Sequence, residues 1–298
     1  MNFQNIPRDN KSVKRAFLGK RGLLHFFDYS QIEPRLFAYF AAKGLGDTTV
    51  ADWYREGRDV YREIAGRAMS KAPDAITEEE RQLGKVWFLM SMYGAGPRKM
   101  AQEIGMPEKE AKEFYRAFHD GLPQIKGLSN PPPRAGSHPS YRPGLVERAL
   151  RRKGYLKTPF GMHLHAEQYG EHKMLNKLIQ GTAALVMKRA LVRVGYALGD
   201  SLWVMPGSSP DMEQRFMWRP PDTGMESRMV ATIHDEIILD GPPSEAQILN
   251  DLLPGLMTAE PEITKYVPLE VDHEVSETTW ADKIGYAEWL AGKEIAVG

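Results

Sequence analysis

The sequence has 298 residues, 42% of them apolar and 26% charged, which is enough for one large or two smaller globular domains with a sizeable core. Its 39 basic and 39 acidic residues cancel, which argues mildly against nucleic-acid binding unless the charges are segregated. The lack of cysteine excludes disulfides and thiolate metal sites, and the lack of long apolar runs argues against a membrane span and a secretory signal.

The first half of the chain contains one strand pattern followed by helical patterns. A capping box of Thr77 and Glu80 begins a helix that we expect to run to Tyr93 and to stop at the Gly and Pro residues of 94–97. The other predicted elements are a buried strand at 22–27 and helices at 35–42, 59–71 and 109–119.

Two irregular insertions interrupt the second half, at 127–144 and 204–226, where Pro, Gly and Ser predict loops. The segment "MVATIHDEIILDG" predicts a strand, a tight turn and a second strand. The remaining predictions are helices at 171–198 and 244–257 and a strand within "VPLEVDHEV" at 267–275.

Asp28 ends the apolar run of "LLHFFDYSQIEPR". An acid at a strand end is most often a turn or capping residue, and Ser30-x-x-Glu33 itself fits a second capping box. Pro34 would then lie in a first helical turn, where its missing N–H costs nothing.

A second strand-end acid, Asp235, lies between the apolar runs of "TIHDEIIL". Asp is common in hairpin turns, so this residue alone indicates little. Two carboxylates at the ends of neighbouring strands can hold two Mg²⁺ ions about 3.5–4 Å apart. The sequence does not show whether the two strands are neighbours.

Two helices carry polar groups on one face. Arg81 and Lys85 lie four residues apart near a helix N-terminus, where they suit an anion such as a triphosphate or, equally well, a solvated face paired with glutamates. His172, Asn176 and Gln180 form a stripe that suits either a network between helices or the edges of bases in a minor groove.

In order and spacing, these segments together resemble the family A DNA polymerases, the group of bacterial DNA polymerase I. "DYSQIEPR" resembles motif A, "RQLGKVWFLMSMYG" resembles motif B, and "HDE" resembles motif C. "NFQNIP", "GYLKTPFGMHL", "LNKLIQGTAALVMKRA" and "VPLEVDHEVSETTW" also resemble family segments, so the likeness runs from Asn2 to about Trp280 apart from the insertions.

The resemblance implies an α+β fold, with a palm of antiparallel sheet and packed helices and an inserted helical fingers subdomain. The palm would comprise 1–56 and 171–298, and the fingers 57–170. The thumb and exonuclease domains of the family would be missing, which predicts one part of a split or truncated polymerase, such as phages carry, that works with a separate N-terminal chain in the bacterial cytoplasm.

The resemblance also implies a role for each site residue in two-metal nucleotidyl transfer from dNTPs to a primer on template DNA. Asp28, Asp235 and the Tyr29 carbonyl would bind two Mg²⁺ ions, with Glu236 close by. Lys85 would bind the triphosphate and protonate the leaving pyrophosphate. The implied nucleotide-binding residues are Arg81, Lys85, Leu89, Tyr93, Glu33 and Gln31, and the implied DNA-binding residues are Arg35, Asn176, Gln180, His234 and His172.

Four positions depart from the family pattern: Leu89 replaces an aromatic residue, Met90 a glycine, Pro34 a leucine and His172 an arginine. The change at Leu89 predicts altered discrimination against dideoxynucleotides. Two other hypotheses compete with the leading one. A single-subunit RNA polymerase would share the aspartates but not Glu33, which would exclude a 2′-OH, and an inactive remnant would bind primer-template or a partner without catalysis.

Overall fold

Internal contacts divide the chain into two compact units, each assembled from separate stretches of sequence. A computed structural model describes residues 11–130, 142–166, 173–199 and 224–297. We call Met1–Ser30, Ala184–Glu260 and Leu269–Gly298 the sheet unit, and Gln31–Ala183 with Pro261–Pro268 the helical unit.

Among the described residues, helices follow one another from the end of the first strand to residue 153, and strands and helices are mixed after that. The helices are α1 (Lys11–Lys14), α2 (Ile32–Leu45), α3 (Thr49–Arg55), α4 (Val60–Met69), α5 (Glu78–Met92), α6 (Pro97–Ile104), α7 (Glu108–Gly121), α8 (Gln124–Leu128), α9 (Leu145–Lys153), α10 (Met174–Ala197), α11 (Ala246–Thr258), α12 (Pro261–Thr264) and α13 (Tyr286–Val297). The strands are β1 (Leu23–Tyr29), β2 (Tyr155–Lys157), β3 (His163–His165), β4 (Arg228–Ile233), β5 (Glu236–Gly241), β6 (Val271–Ser276) and β7 (Ile284–Gly285).

The core of the sheet unit is a five-stranded antiparallel sheet in the order β4-β5-β1-β6-β7. The central strand β1 is covered on both faces, which is why its sequence before Asp28 is apolar at every position except His25 rather than alternating. On one face, Leu24 and Phe26 pack with Trp280. Every residue of β1 is buried except Asp28, which is half-buried.

The opposite face of β1 packs its rings against β6 and α13. His25 and Phe27 stack on His273, and the ring of His273 stacks on Tyr286. His273 Nδ1 lies 3.1 Å from Asn250 Oδ1 on α11, and its Nε2 lies 3.1 Å from His25 Nδ1. Burial lowers the pKa of His25 to about 4 and that of His273 to about 3, so both rings are neutral in the folded core.

The C-terminal end of β1 is fixed to α11 and to the second half of α10. Tyr29 donates its hydroxyl proton to the carbonyl of Met257, at 2.6 Å. Arg193 donates to the carbonyl of Leu256 and to the buried carboxylate of Glu260, at 2.6 and 2.8 Å. These bonds satisfy carbonyls at the end of α11 and hold in place the strand end that carries Asp28.

In the helical unit, α4 and α5 pack closely. A Cβ at Gly84 would lie 2.9 Å from the Cβ of Ala65 and 3.2 Å from its backbone nitrogen, so only glycine allows this approach without a shift. Beside the contact, Trp87 and Phe88 are fully buried. The short strands β2 and β3 form a separate antiparallel pair within this unit.

The structure confirms the predicted α+β class with its antiparallel sheet, and it confirms the capping box of Thr77 and Glu80. The alternative in which Ser30 caps a helix through Glu33 is wrong, because the N-cap of α2 is Gln31, in a left-handed conformation and without a side-chain cap bond. Pro34 does lie in the first turn of that helix.

Some other predicted boundaries differ from those in the structure, and some predicted segments lie outside the described residues. β6 begins four residues later than the predicted strand. α8 extends two residues into the first predicted insertion and α9 follows it, and residues 131–141 lie outside the described residues. Residues 200–223, which include most of the second insertion, lie outside them as well. Among the described residues, none of the helices has the length and apolar character needed to cross a membrane.

Candidate active site

Three carboxylates share one face of the sheet at the end of β1. Asp28 is paired in register with Glu236 on β5 and with Asp272 on β6, and residues directly opposite each other in antiparallel strands point to the same face. Asp235 occupies the tight turn before β5, and its carbonyl accepts a hydrogen bond from Tyr29 N, at 3.2 Å. The structure therefore brings the two strand-end aspartates to neighbouring strands, which the sequence left open.

The electrostatics of this carboxylate cluster oppose ionisation. Burial, followed by the negative charges of Asp235 and Glu236, raises the pKa of Asp28 from 3.8 to about 7. The ammonium of Lys283 acts in the other direction but does not offset them. The cluster thus contains more carboxylates than the ammonium of Lys283 neutralises.

Lys283 belongs to the site and was not identified from the sequence. Its Nζ lies 2.8 Å from Glu236 Oε1 and also pairs with Glu274. Burial acts to lower the pKa of Lys283, but the attraction of Glu236 and Glu274 outweighs it and raises that pKa, so the ammonium stays charged. Nothing in "WADKIGY" indicates this contact, because it depends on the pairing of β6 with its neighbours.

Oxygen ligands are available at the strand end for a divalent cation. Carboxylate and carbonyl oxygens are what Mg²⁺ prefers, so Asp28, Asp235 and the Tyr29 carbonyl are a chemically suitable set. Within the described ranges, no group of three or more His, Asp or Glu side chains is arranged to hold a metal ion. The donor set fits the ion by its chemistry.

The start of α2 is held by its neighbours in the helical unit. Tyr54 donates its hydroxyl proton to Gln31 Oε1, at 3.0 Å, and the Arg35 guanidinium lies 4.2 Å from the centre of the Tyr54 ring. Arg35 is only 3% exposed and donates to the carbonyl of Pro268, at 2.7 Å. Tyr54 was not among the sequence-predicted site residues.

Four of the predicted residues form one hydrogen-bonded group. Tyr93, which follows α5, donates its hydroxyl proton to Glu33 Oε2 on α2, at 2.9 Å. From α10, Gln180 Nε2 lies 3.4 Å from the same hydroxyl, and Asn176 also bonds to it. Burial and the nearby Glu33 carboxylate raise the pKa of Tyr93, which keeps the hydroxyl protonated as a donor.

The cations of α5 lie beside the start of α4. Arg81 Nε donates to Asp59 Oδ2, at 2.6 Å, and its guanidinium is 5.6 Å from the centre of the Tyr61 ring. Lys85 Nζ lies 5.5 Å from the centre of the same ring. Asp59 and Tyr61 were likewise not identified as site residues from the sequence, although both lie in the first turn of the helix predicted at 59–71.

The other predicted residues are placed individually. Leu89 is half-buried on α5, between Lys85 and Tyr93. His234 is exposed in the turn between β4 and β5 with a positive φ of 56°, a conformation that is uncommon for a residue with a side chain. His172 lies outside the described residues.

Comparisons with known proteins agree on one family. The family model described as DNA polymerase family A matches residues 1–282. Thermostable DNA polymerase I of Thermus aquaticus is 27% identical over 98% of this chain and 30% of its own length. DNA polymerase I of Lactococcus lactis is 28% identical over 95% of this chain and 29% of its own length. The chain thus spans about 30% of the length of these curated relatives.

A solved structure has the same fold. The POL domain of Pol1 from M. smegmatis, in complex with DNA primer-template and dNTP, matches with a TM-score of 0.70 and 24% identity. The match covers 94% of this chain and 44% of that one.

Proposed function

Because the chain belongs to DNA polymerase family A, we propose that it is the catalytic portion of a DNA-directed DNA polymerase. It would add deoxynucleotides to the 3′-OH of a primer paired with template DNA. Within it, we assign the palm to 1–56 and 171–298 and the fingers to 57–170, and these assignments rest on the family resemblance.

One observation carries the proposal: Asp28 and Asp235 stand at the ends of paired strands, in a cluster with surplus negative charge. Perturbed carboxylates of this kind are typical of functional sites, because a structural role alone would favour neutralised partners. A cation bound here would offset the repulsion that raises the pKa of Asp28.

The acidic residues would hold the metal ions. We propose that Asp28, Asp235 and the Tyr29 carbonyl bind two Mg²⁺ ions, with Glu236 in position to orient the cluster through its pair with Lys283. When bound, the ions would lower the pKa of the primer hydroxyl and offset the charge that develops at the α-phosphate. Strand β1 fixes Asp28 and the turn before β5 fixes Asp235, so little reorganisation would accompany the reaction.

The helix α5 would receive the triphosphate. Arg81 and Lys85 would bind its oxygens, and Lys85 would give a proton to the pyrophosphate as the bond between the α- and β-phosphates breaks. Leu89, half-buried on the same helix, would contact the sugar.

The hydrogen-bonded group around Tyr93 would select the sugar. The bond from Tyr93 to Glu33 fixes the carboxylate, and we propose that this pair leaves no room for a 2′-OH. Gln31, anchored by Tyr54, would lie near the same nucleotide. Asn176 and Gln180 would contact the minor groove, whose degenerate pattern suits a check of pair geometry without sequence readout.

The remaining DNA contacts would come from His234, Arg35 and His172. His234 is exposed, which suits contact with DNA. Arg35 is buried and bonded within the helical unit, so its contact with DNA would require that side chain to move.

Primer extension with Mg²⁺ and all four dNTPs tests the proposal. The curated relatives are about three times as long as this chain, so extension is measured both with the chain alone and with a thumb-bearing N-terminal fragment added. We expect extension to be stronger when a thumb-bearing N-terminal fragment is added than with the chain alone.

The matched controls are carboxylate variants. The double variant Asp28→Ala with Asp235→Ala should lose at least about a thousandfold in rate, whereas Asp272→Asn, also paired in register with Asp28, should stay within a few-fold of the unmodified chain. Extension that survives the double variant would refute the two-metal assignment. Primer-template binding without extension under any condition would favour an inactive remnant.

A further inference from the structure

The ring of Tyr61 lies beside both cations of α5. The Arg81 guanidinium is 5.6 Å and the Lys85 ammonium 5.5 Å from the centre of the ring, within the range of cation–π attraction. Tyr61 is 4% exposed, so its ring cannot turn away to solvent without opening the packing around it.

The two cations differ in how their charge is compensated. Arg81 pairs with Asp59 and Glu78, at 2.6 and 3.2 Å. Lys85 forms no ion pair with the carboxylates of the described residues, and its ammonium lies over the face of Tyr61. An aromatic face attracts an ammonium without cancelling its charge, whereas a carboxylate in the same place would compete with an incoming phosphate.

The start of α4 is built to hold this arrangement. Asp59 is the N-cap, and its Oδ1 accepts from the backbone N–H groups of Tyr61 and Arg62, at 3.0 and 3.1 Å, while Oδ2 accepts from Arg81. The close approach at Gly84 keeps α5 at a fixed distance from α4. A single carboxylate therefore joins the backbone that carries the Tyr61 ring to the guanidinium beside it.

We propose that Tyr61 is a positioning residue for triphosphate binding: its ring holds Lys85 and Arg81 in place while leaving the Lys85 charge available to the anion. The inference rests on the proposed function, because the anion is taken to be the triphosphate of a dNTP. It assigns a role to the ring and none to the hydroxyl.

Steady-state primer extension with two variants tests the role of the ring. Tyr61→Leu keeps apolar bulk but removes the aromatic face, and should raise KM for dNTP roughly 3- to 20-fold, with a smaller fall in kcat because Lys85 is also the proposed proton donor to the pyrophosphate. Tyr61→Phe keeps the face and should restore the KM of the unmodified chain. Equal KM values for the Leu variant and the unmodified chain would overturn the proposal, as would a Phe variant as impaired as the Leu variant.

A binding measurement separates this inference from the proposed function. Titration of the whole chain with inorganic tripolyphosphate needs no extension activity, and the affinity should fall in Tyr61→Leu but not in Tyr61→Phe. That pattern in a chain without extension activity would support the inference and count against the proposed function. Normal extension with equal tripolyphosphate affinity in all three proteins would support the proposed function and count against the role of Tyr61.

Fluorinated phenylalanines at position 61 guard against a Leu variant that fails to fold. Successive fluorine atoms weaken the negative face of the ring with little change in its size. Tripolyphosphate affinity should fall step by step with the number of fluorine atoms, and a flat series would overturn the proposal.

Discussion

The carboxylate cluster of the sheet unit and the cation face of α5 in the helical unit handle charge in opposite ways. At the end of β1, like charges crowd together, and burial with Asp235 and Glu236 raises the pKa of Asp28 to about 7. Beside α5, Asp59 forms an ion pair with Arg81. Burial acts to raise the pKa of Asp59, but the hydrogen bond from Arg81 helps to lower it below its ordinary value. One region leaves negative charge uncompensated, and the other neutralises most of its charge within the fold.

The difference indicates which kind of ion each region is suited to bind. Repulsion within the carboxylate cluster lowers the stability of the protein without metal, and the binding of cations would relieve that repulsion. A matched cation face is stable when empty and offers an anion chiefly the one ammonium, Lys85, that lacks a described carboxylate partner. Removing a carboxylate should therefore raise stability at the carboxylate cluster and lower it beside α5.

The largest effect should follow from removing the cation in the carboxylate cluster. In Lys283→Met, Glu236 and Glu274 lose their partner while Glu236 remains buried, and stability should fall by about 2–3 kcal/mol, as when a buried pair loses one member. Urea denaturation without metal measures this loss.

The double variant Lys283→Met with Glu236→Gln is the control for that prediction. Since it also removes the buried negative charge, it should recover most of the lost stability. A single variant as stable as the unmodified chain would show that Lys283 does not compensate the cluster.

A smaller change of opposite sign should follow from Asp28→Asn. The native pKa of Asp28, about 7, lies above its ordinary value of 3.8, so the folded state binds the proton more tightly than the unfolded state. Stability is thereby lost as pH rises through that window, and the variant escapes this loss. Without metal at pH 8 it should be more stable by on the order of 1–2 kcal/mol, after allowance for solvent screening.

The pH profile makes the Asp28 prediction specific. The difference between variant and unmodified chain should be near zero below pH 4 and should grow towards pH 7. Saturating Mg²⁺ should shrink or reverse it, because the unmodified chain gains more from the ion. Asp272→Asn should gain less, since Asp272 is the weakest of the named contributors to the pKa of Asp28. A destabilised Asp28→Asn protein at pH 8 would contradict the surplus-charge account.

Local chemistry made part of this fold predictable. The strand β1 and the capping box of Thr77 were both predicted correctly, because each depends on residues close together in sequence. The start of α2 was predicted wrongly, because the bond that anchors Gln31 to Tyr54 spans 23 residues and competes with a local cap.

The site shows the same limit more clearly. The strand-end position of Asp28 could be predicted, but the pairing of β1 with β5 that brings Asp235 near it is a property of the whole sheet. Lys283 and Tyr61 act only through partners distant in sequence and carry no motif of their own. Residues that compensate or position a charge are therefore harder to find from sequence than the charges themselves.

The smallest effect should come from the matched region and should reverse the sign seen at Asp28. Asp59→Ser keeps a good N-cap for α4 but loses the bond to Arg81, so stability should fall by roughly 0.5–1 kcal/mol. Because the native pKa of Asp59 is lowered, this stabilisation is present above its ordinary pKa and is lost as pH falls. The stability deficit of Asp59→Ser should thus be visible at neutral pH and disappear in acid. Asp28→Asn should instead show a stability gain that likewise appears as pH rises.

Asp74→Ser is the matched control and should change stability little, because the Asp74 carboxylate has no ion pair among the described residues. Thermal unfolding at pH 2, 4, 6 and 8 measures Asp59→Ser, Asp74→Ser and the unmodified chain. A stabilised Asp59→Ser would mean that the two regions do not differ in how they compensate charge.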